Sequence, residues 1–406
     1  MYFCARIGIL LEYTMMKRFK YLLVALFLYG FVNAYSSNPD SIRLSLMTCA
    51  PGSEIYAHFG HTAIRYENYT RKIDLVFNYG MFNFREPNFV WRFVKGETDY
   101  QLGITPYIYF RAEYAMRGSS VYQQVLNLTQ AEKERLVALL EENYRPENRV
   151  YRYNYFYDNC TTRARDKIEE AIQGKVVYPD SIPDKTFRSI VHEFTSEAKW
   201  DELGIDMCLG VEADRPIGKR LQMFAPFYML HYAGQAYILG ANGEKRPLVS
   251  ETTKIVDVEP EPFEPGFPLS PMACGILFLV VCIVMGWVRW KKRRVWWGWD
   301  LFLLLMQGLA GCLVAFLFFF STHPTVGSNW LLWLFNPIPL FYLPFLVWHE
   351  KKGRKDPYHV INIVYLTLFI VIFPICGQEF NLTVLPLALG LLMNSVSHVL
   401  TGNKKA

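Results

Sequence analysis

The last third of the chain contains five apolar segments, each about long enough to cross the ~30 Å hydrocarbon core of a bilayer. They lie at residues 272–288, 299–320, 330–348, 358–375 and 383–400. Few folds remain open to such a sequence, because backbone polar groups inside lipid are satisfied only in helices and closed barrels. The pattern therefore predicts a five-helix transmembrane domain over residues 271–401.

The loops between these segments predict the orientation of the domain. Lysine and arginine cluster after the first and third segments, at 289–294 and 351–355, and recur at the end of the chain. The loops after the second and fourth segments, 321–329 and 376–381, contain neither residue type. Loops rich in lysine and arginine stay in the cytoplasm. The part of the chain before the first segment is therefore predicted to lie outside.

The N-terminus carries an independent export signal. Basic residues at 17–20 precede an apolar stretch at 21–32 and then Ala34, which is typical of a secretory signal. We predict a signal peptide over residues 1–34, with a retained anchor helix as the alternative. The leader upstream of Met15 is unlike a signal, so a translation start at Met15 or Met16 is also open.

Between signal and spans lies a polar-rich stretch large enough for a globular domain. We assign 35–258 to this exported domain and 259–270, rich in proline and glutamate, to a linker. The net charge of +5 is small and does not indicate a nucleic-acid-binding protein. No Cys-x-x-Cys or His-x-x-x-His spacing occurs, so we predict neither a metal nor another cofactor.

The exported domain contains an odd number of cysteines. Cys49, Cys160 and Cys208 leave at least one thiol unpaired even in an oxidising compartment. A Cys49–Cys208 disulfide is conceivable from the count alone. Cys160 is the candidate for a free reactive thiol, because it stands just before or at the start of a helix predicted over 161–173.

The start of this helix suits a thiolate. The helix dipole and the unpaired N–H groups of the first turn lower the pKa of a thiol and can hold a developing oxyanion. Asp158 is near enough to cap the helix, and Asn159 lies beside it. Thr129 with Glu132 predicts a capping box at the start of another helix.

His61 is the candidate base, because Cys and His together are the minimum for thiol nucleophilic catalysis. It opens a predicted hairpin that turns at 68–72. In that hairpin His61 lies opposite about Asn78, whose amide is suited to orient the imidazole; Asp74, on the same face, is the second choice. The alternative is that Cys160 is a small buried residue and His61 an ordinary histidine.

Two further features lie near this pair in the sequence. Arg163, one turn into the helix, is suited to bind a lipid phosphate, but a solvated helix face with Arg165 paired to Glu169 is the alternative. An aromatic-rich stretch covers residues 79–93. We predict that it is mainly core, with an acyl groove as the alternative.

The motifs of the chain also occur as an ordered set. They are Cys49-Ala50-Pro51-Gly52, Phe59-Gly60-His61-Thr62, Phe77-Asn78-Tyr79-Gly80, Pro87-Asn88-Phe89, Pro146-Glu147-Asn148-Arg149, Asp158-Asn159-Cys160-Thr161-Thr162-Arg163 and Ser321-Thr322-His323-Pro324. This set resembles the Lnb family of bacterial lipoprotein N-acyltransferases. The resemblance implies an α+β fold: a permuted papain-like (NlpC-type) extracytoplasmic domain, in which His precedes Cys, followed by an α-helical five-span transmembrane domain. It also implies catalytic roles for His61 and Cys160.

The substrates are implied by the resemblance alone. The acyl donor is expected to be a membrane phospholipid, and the acceptor the N-terminal amine of a diacylglyceryl-cysteine lipoprotein. The protein is expected in the bacterial inner membrane, with its catalytic domain in the periplasm. Two other functions stay open: a cysteine amidase or peptidase of the cell wall, and a non-catalytic membrane protein that binds an envelope partner.

Overall fold

The computed structural model describes residues 41–83, 85–259, 266–352, 354 and 356–402. The predicted signal peptide, the centre of the predicted linker and the last basic residues lie outside this range. Within it, a sheet-rich domain whose last strand ends at Val256 precedes a helical region that begins at Pro271. This arrangement confirms the predicted α+β class and its order along the chain.

In the described part of the chain, ten strands build two sheets. The strands are β1 (Ile42–Cys49), β2 (His61–Asn68), β3 (Ile73–Met81), β4 (Asp99–Pro106), β5 (Val121–Leu126), β6 (Val150–Arg152), β7 (Lys175–Val177), β8 (Tyr237–Leu239), β9 (Lys245–Pro247) and β10 (Val249–Val256). The main sheet has the order β10-β5-β1-β2-β3-β4-β6, and all its pairings are antiparallel. The small sheet has the order β7-β8-β9.

Helices cover both faces of the main sheet and form the rest of the molecule. They are α1 (Phe89–Lys95), α2 (Tyr107–Met116), α3 (Gln130–Tyr144), α4 (Cys160–Ala171), α5 (Phe187–Thr195), α6 (Lys199–Cys208), α7 (Gly218–Gln222), α8 (Pro226–Gln235), α9 (Pro271–Lys292), α10 (Trp297–Phe320), α11 (Ile338–Lys351), α12 (Pro357–Ile372) and α13 (Val384–Gly402).

The central strands supply two separate cores, because successive side chains of a strand point to opposite faces. Leu46 faces the core that contains Ile168 of α4. Its neighbour Met47 faces a second core that contains Phe110 of α2. The sheet is therefore buried on both faces, and β2 lies near its middle, where its first residue is held in place from both sides.

The transmembrane prediction is confirmed for four segments. Stretches long and apolar enough to cross a membrane are Pro271–Lys292, Trp297–Phe320, Trp330–Lys351 and Val384–Thr401. The fourth predicted segment forms α12, a shorter apolar helix of 16 residues. At 1.5 Å per residue it spans about 24 Å, which is less than the ~30 Å of the hydrocarbon core.

The third segment also differs from the prediction. Its α-helix begins only at Ile338, and a 3-10 turn at Trp330–Trp333 precedes it. Pro337 and Pro339 explain the delay, because proline lacks the N–H that a helix interior needs but is tolerated in the first turn. The start of this span is therefore an irregular turn at the outer end of the bundle.

The soluble domain lies on the outer ends of the spans. Asn329 donates a hydrogen bond to the carbonyl oxygen of Met207 at 2.8 Å, and Gln378 donates to that of Leu209 at 3.1 Å. Both donors belong to the loops that lack lysine and arginine, which were predicted to lie outside. The packing therefore agrees with the predicted orientation.

The capping box at α3 gives a test of the fold. Thr129 Oγ1 accepts from the N–H of Glu132, and Glu132 accepts from the N–H of Thr129 at 2.8 Å. Thr129→Ala should lower the free energy of unfolding by about 1 kcal/mol, and the melting temperature by about 2–4 °C. Thr129→Ser, which keeps the acceptor, should melt near the wild type. Equal losses in both variants, measured by thermal unfolding in detergent, would contradict this role of the hydroxyl.

Candidate active site

The structure brings the two motifs that were predicted to carry chemistry into contact. His61 is the first residue of β2, Cys160 is the first residue of α4, and the two side chains lie close enough for each to shift the pKa of the other. Gly80, near the end of β3, lies beside this pair. Its φ of +84° favours glycine, and a Cβ atom there would be in ordinary van der Waals contact with the Cβ of Cys160, at 3.6 Å. The start of α4 therefore packs against the end of β3.

The contact changes the pKa of both groups. Burial alone raises the pKa of the Cys160 thiol, but the positive charge of His61 and its hydrogen bond lower it below the ordinary value. Burial alone lowers the pKa of His61, but the charge of Cys160 and hydrogen bonds from Cys160 and Asn78 raise it. The two shifts have opposite signs, and both favour a thiolate–imidazolium pair.

Asn159, and not the predicted Asp158, caps the helix that begins at Cys160. Its side-chain oxygen accepts from the N–H groups of Thr161 at 2.9 Å and Thr162 at 3.0 Å. Its side-chain nitrogen donates to buried carbonyl oxygens at 2.9 and 3.0 Å, which anchors the cap to the core. The cap thus occupies two of the first-turn N–H groups that the sequence analysis considered as donors to an oxyanion. The N–H of Cys160 is the first-turn donor that the cap does not use.

Two threonines attach the start of α4 to β2, and the sequence analysis did not identify them. The hydroxyls of Thr62 and Thr161 lie 3.0 Å apart, and both residues are fully buried. The backbone N–H of Thr62 beside the Cys160 sulfur also lowers the pKa of the thiol. Each threonine directly follows one of the predicted catalytic residues, and that adjacency was the available signal.

Asn78 contacts His61 as predicted, although the register of the hairpin differs. The oxygen of Asn78 accepts from Nε2 of His61 at 3.3 Å, and its nitrogen points to the Val76 carbonyl and the Thr105 hydroxyl at 3.3 and 3.4 Å. The strand partner of Asn78 is Ala63, two residues beyond His61. A shift of two residues preserves the face of the sheet, so the contact survives.

Asp74, the second choice for this role, is used elsewhere. Its two carboxylate oxygens accept from Arg65 at 2.8 and 2.7 Å. Arg65 is buried and also donates to Gln123 at 2.8 Å, while its guanidinium lies 3.3 Å from the ring centroid of Tyr107. Asp74 therefore belongs to an ion pair that joins strands of the sheet.

Asp158 and Arg163 pair with each other. Arg163 donates two hydrogen bonds to the carboxylate of Asp158, at 2.6 and 2.8 Å, and lies 3.5 Å from the ring centroid of Tyr151. This geometry holds the turn before Cys160 and occupies the guanidinium that was predicted to bind phosphate.

The predicted pairing of Arg165 with Glu169 is wrong. Arg165 is buried and donates to Asp166 at 2.9 Å and to the carbonyl oxygen of Arg220 at 2.8 Å. Glu169 instead accepts from Arg220 at 2.9 Å. The helix turns Arg165 toward the core, so the i,i+4 spacing in the sequence did not produce a surface pair.

The other two thiols of this domain have the opposite tendency. Cys49 lies opposite His61 in the β1–β2 ladder, and burial raises the pKa of its thiol well above the ordinary value. Burial raises the pKa of Cys208 to about 11. All described cysteines are free, so the conceivable Cys49–Cys208 disulfide does not form. Of the three thiols, Cys160 is the one whose surroundings favour the thiolate.

Among the described residues, one buried group in the transmembrane domain has the composition of a metal site. Ligand atoms of Asp300, His359 and His398 lie within 4.8 Å of one another. Arg289 already donates to Asp300 at 2.8 Å, and the histidine rings stack at 3.9 Å with 25° between their planes. A fixed cation and nearly parallel rings, whose nitrogen lone pairs do not converge, fit a metal poorly.

The fold and the site define a class of protein: a multi-pass membrane protein whose periplasmic domain contains a Cys–His pair. Two family descriptions match its sequence. The Lnb N-terminal periplasmic domain matches residues 32–193, and the Lnb transmembrane domain matches residues 262–406. The chain therefore belongs to the Lnb family. No curated protein and no solved structure matches the chain, so the papain-like order of its domain stays a prediction.

The opposed pKa shifts give a test of the site. The rate of Cys160 alkylation by iodoacetamide should rise with pH. The midpoint of that rise should lie below ~8.5, the ordinary pKa of a cysteine. His61→Ala should move that midpoint upward, because burial then acts on the thiol without an opposing charge. Peptide mass spectrometry separates Cys160 from Cys49 and Cys208, whose midpoints should lie above the ordinary value. A Cys160 midpoint that His61→Ala does not move would exclude the pair.

Proposed function

We propose that the protein is a lipoprotein N-acyltransferase of the bacterial inner membrane. It transfers a fatty acyl chain from a phospholipid to the N-terminal amine of a diacylglyceryl-cysteine lipoprotein, through a thioester on Cys160. The observation that carries the proposal is the contact of Cys160 with His61, with shifts that favour a thiolate, in a domain attached to the outer ends of membrane spans. The two substrates are those that the resemblance to the Lnb family implies, and membership of that family supports them.

The first step forms the acyl-enzyme. The Cys160 thiolate attacks the carbonyl carbon of a phospholipid ester, and a carbon–sulfur bond forms. In this proposal the N–H of Cys160, which the helix cap does not use, holds the oxyanion. The carbon–oxygen bond then breaks, and the departing oxygen takes a proton from the His61 imidazolium. A lysophospholipid leaves.

The second step transfers the acyl chain to nitrogen. The neutral amine of the lipoprotein attacks the thioester carbonyl, and His61, now neutral, accepts a proton from that nitrogen. The carbon–sulfur bond breaks and the thiolate returns. Asn78 holds the proton of His61 on Nε2 through its side-chain oxygen, so Nδ1 is the nitrogen that exchanges protons with sulfur and substrates.

The membrane spans support this assignment over the two rival functions. Both proposed substrates are anchored in a bilayer, and a fixed domain at its surface reduces the cost of bringing them together. A soluble cell-wall peptidase gains nothing comparable from several spans. A binding protein without catalysis does not require a buried thiol whose pKa is lowered by a neighbouring imidazole.

Loss of the sulfur tests the proposal directly. Cells whose only copy carries Cys160→Ala should accumulate lipoproteins that lack the N-acyl chain, detected as a mass lower by one fatty acyl group in intact-mass spectra. Cys49→Ala is the matched control, because its thiol lies in the same domain with a raised pKa; it should leave the N-acyl chain in place. Fully N-acylated lipoproteins in Cys160→Ala cells would refute the nucleophile, and release of peptides from peptidoglycan fragments would favour the peptidase.

Asn78 provides a second test. Asn78→Ala removes the acceptor for the imidazole, so acyl transfer should fall, but by less than the roughly 10²- to 10⁴-fold that loss of an acid–base group itself costs. Asn78→Asp keeps the acceptor and adds negative charge beside His61, which should raise the pKa that limits activity at high pH. Rates measured against pH in detergent decide the outcome. Wild-type rates in Asn78→Ala would remove Asn78 from the mechanism.

A further inference from the structure

Helix α1 is attached to the outer end of a transmembrane helix. The loop after α10 binds the carbonyl groups at the end of α1. Ser321 donates to Val94 at 2.8 Å, and the N–H of Thr322 donates to Lys95 at 2.8 Å. Nε2 of His323 lies 2.5 Å from the carbonyl oxygen of Phe93. The last carbonyls of a helix have no partner within it, and here the membrane domain supplies their partners.

A glycine makes this attachment possible. Gly96 follows α1 with a φ of +75°, a conformation that favours glycine. A Cβ atom there would lie 2.7 Å from Oγ1 of Thr322 and 2.8 Å from the N–H nitrogen of His323. The close packing fixes the height of α1 relative to the end of α10.

That height lies at the edge of the hydrocarbon core. The ring of Trp91 lies 4.7 Å from the ring of Phe316, centroid to centroid. Phe316 is one turn before the end of α10, or about 29 Å from its first residue at 1.5 Å per residue. The ~30 Å core ends at about this depth, which is where tryptophan is enriched in membrane proteins. Phe316 also stacks on Phe320, which is 66% exposed and continues the lipid-facing surface.

The face of α1 that points away from the domain is apolar and uncovered. Val90 is 72% exposed and Trp91 is 55% exposed. The prediction that the aromatic stretch is mainly core therefore holds for Phe89, which is buried, and is wrong for Trp91 and for Phe93, which is 45% exposed. A water-facing helix would normally carry polar side chains at such positions.

The opposite side of α1 leads to the active site through an aromatic row, defined as Phe89, Phe82, Tyr100 and Tyr153. Successive ring centroids along this row lie 5.7, 4.9 and 4.1 Å apart. The row ends beside Gly80, where an added Cβ would be 4.0 Å from Tyr153 and 3.6 Å from the Cβ of Cys160. Rings therefore follow one another from the membrane surface to the nucleophile.

We propose that the exposed face of α1 is immersed in the periplasmic leaflet and is the place where the donor phospholipid leaves the bilayer, its acyl chain passing along the aromatic row to Cys160. The inference rests on the proposed acyl transfer and adds the route of the donor. Continuity of Trp91 with the lipid-facing side of α10 identifies the occupant as lipid. The glycerol ester of the donor then reaches the sulfur of Cys160, and the whole lipid does not have to enter water.

The experiment compares two acyl donors on the full-length protein reconstituted in phosphatidylethanolamine vesicles. One donor is the vesicle phospholipid, with a synthetic diacylglyceryl-cysteine peptide as acceptor, and the other is water-soluble p-nitrophenyl butyrate. Val90→Asp should lower the ratio of phospholipid to soluble-ester turnover at least tenfold, because a charge opposes immersion. Ile108→Asp is the matched control, since Ile108 on α2 is 71% exposed; its ratio should equal that of the wild type.

The outcomes separate this inference from the proposed function. An unchanged ratio in Val90→Asp, or an equal fall in Ile108→Asp, would overturn the route. Val90→Asp protein that still releases lysophospholipid but no longer acylates the lipoprotein peptide would also overturn the route. That result would assign the surface to the acceptor. A wild-type protein that turns over the soluble ester but transfers nothing from phospholipid would instead overturn the proposed function.

A second measurement does not depend on activity. Brominated phospholipids quench tryptophans that contact acyl chains, so they should quench the wild type more than Trp91→Phe. Equal quenching of the two proteins would place Trp91 outside the lipid and overturn the immersion.

Discussion

The pairing of a buried thiol with a buried imidazole is the interaction on which the rest of this structure depends. Burial opposes the charged form of each group: by itself it raises the pKa of Cys160 and lowers that of His61. Together they favour transfer of a proton from the thiol to the imidazole, because each of the resulting charges stabilises the other. The surrounding elements keep them together: Asn159 holds the start of α4, and Asn78 orients the ring.

The position of this pair relative to the membrane has an equally local cause. The periplasmic domain contacts the outer loops through hydrogen bonds to backbone carbonyls, at α6 and at the end of α1. Carbonyl acceptors at helix ends must find donors, and loops without lysine or arginine provide neutral ones. The described part of the domain is therefore attached to the spans at both of these places.

Comparison of prediction and structure shows which signals were sufficient. Motif order was enough to pair His61 with Cys160, and hairpin spacing was enough to place Asn78 on the correct face, since a register error of two residues preserves the face. The sequence of strand β5 gave no such signal. It contains Gln123 and Gln124, which a polarity pattern assigns to the surface but which the fold buries. Their partners lie on distant strands and helices, which no local pattern reveals.

The sequence by itself determined the membrane character of the C-terminal region and the α+β order of the domains, and it singled out Cys160 and His61 as a candidate pair, because hydrophobic length and residue chemistry are local properties. Only the tertiary structure decided which neighbours act on that pair. Asp158 forms an ion pair with Arg163, and Asn159 caps the helix instead. Asp74 forms an ion pair with Arg65. Such choices are competitions among partners brought together by folding, so their outcome depends on distances that the order of residues does not specify.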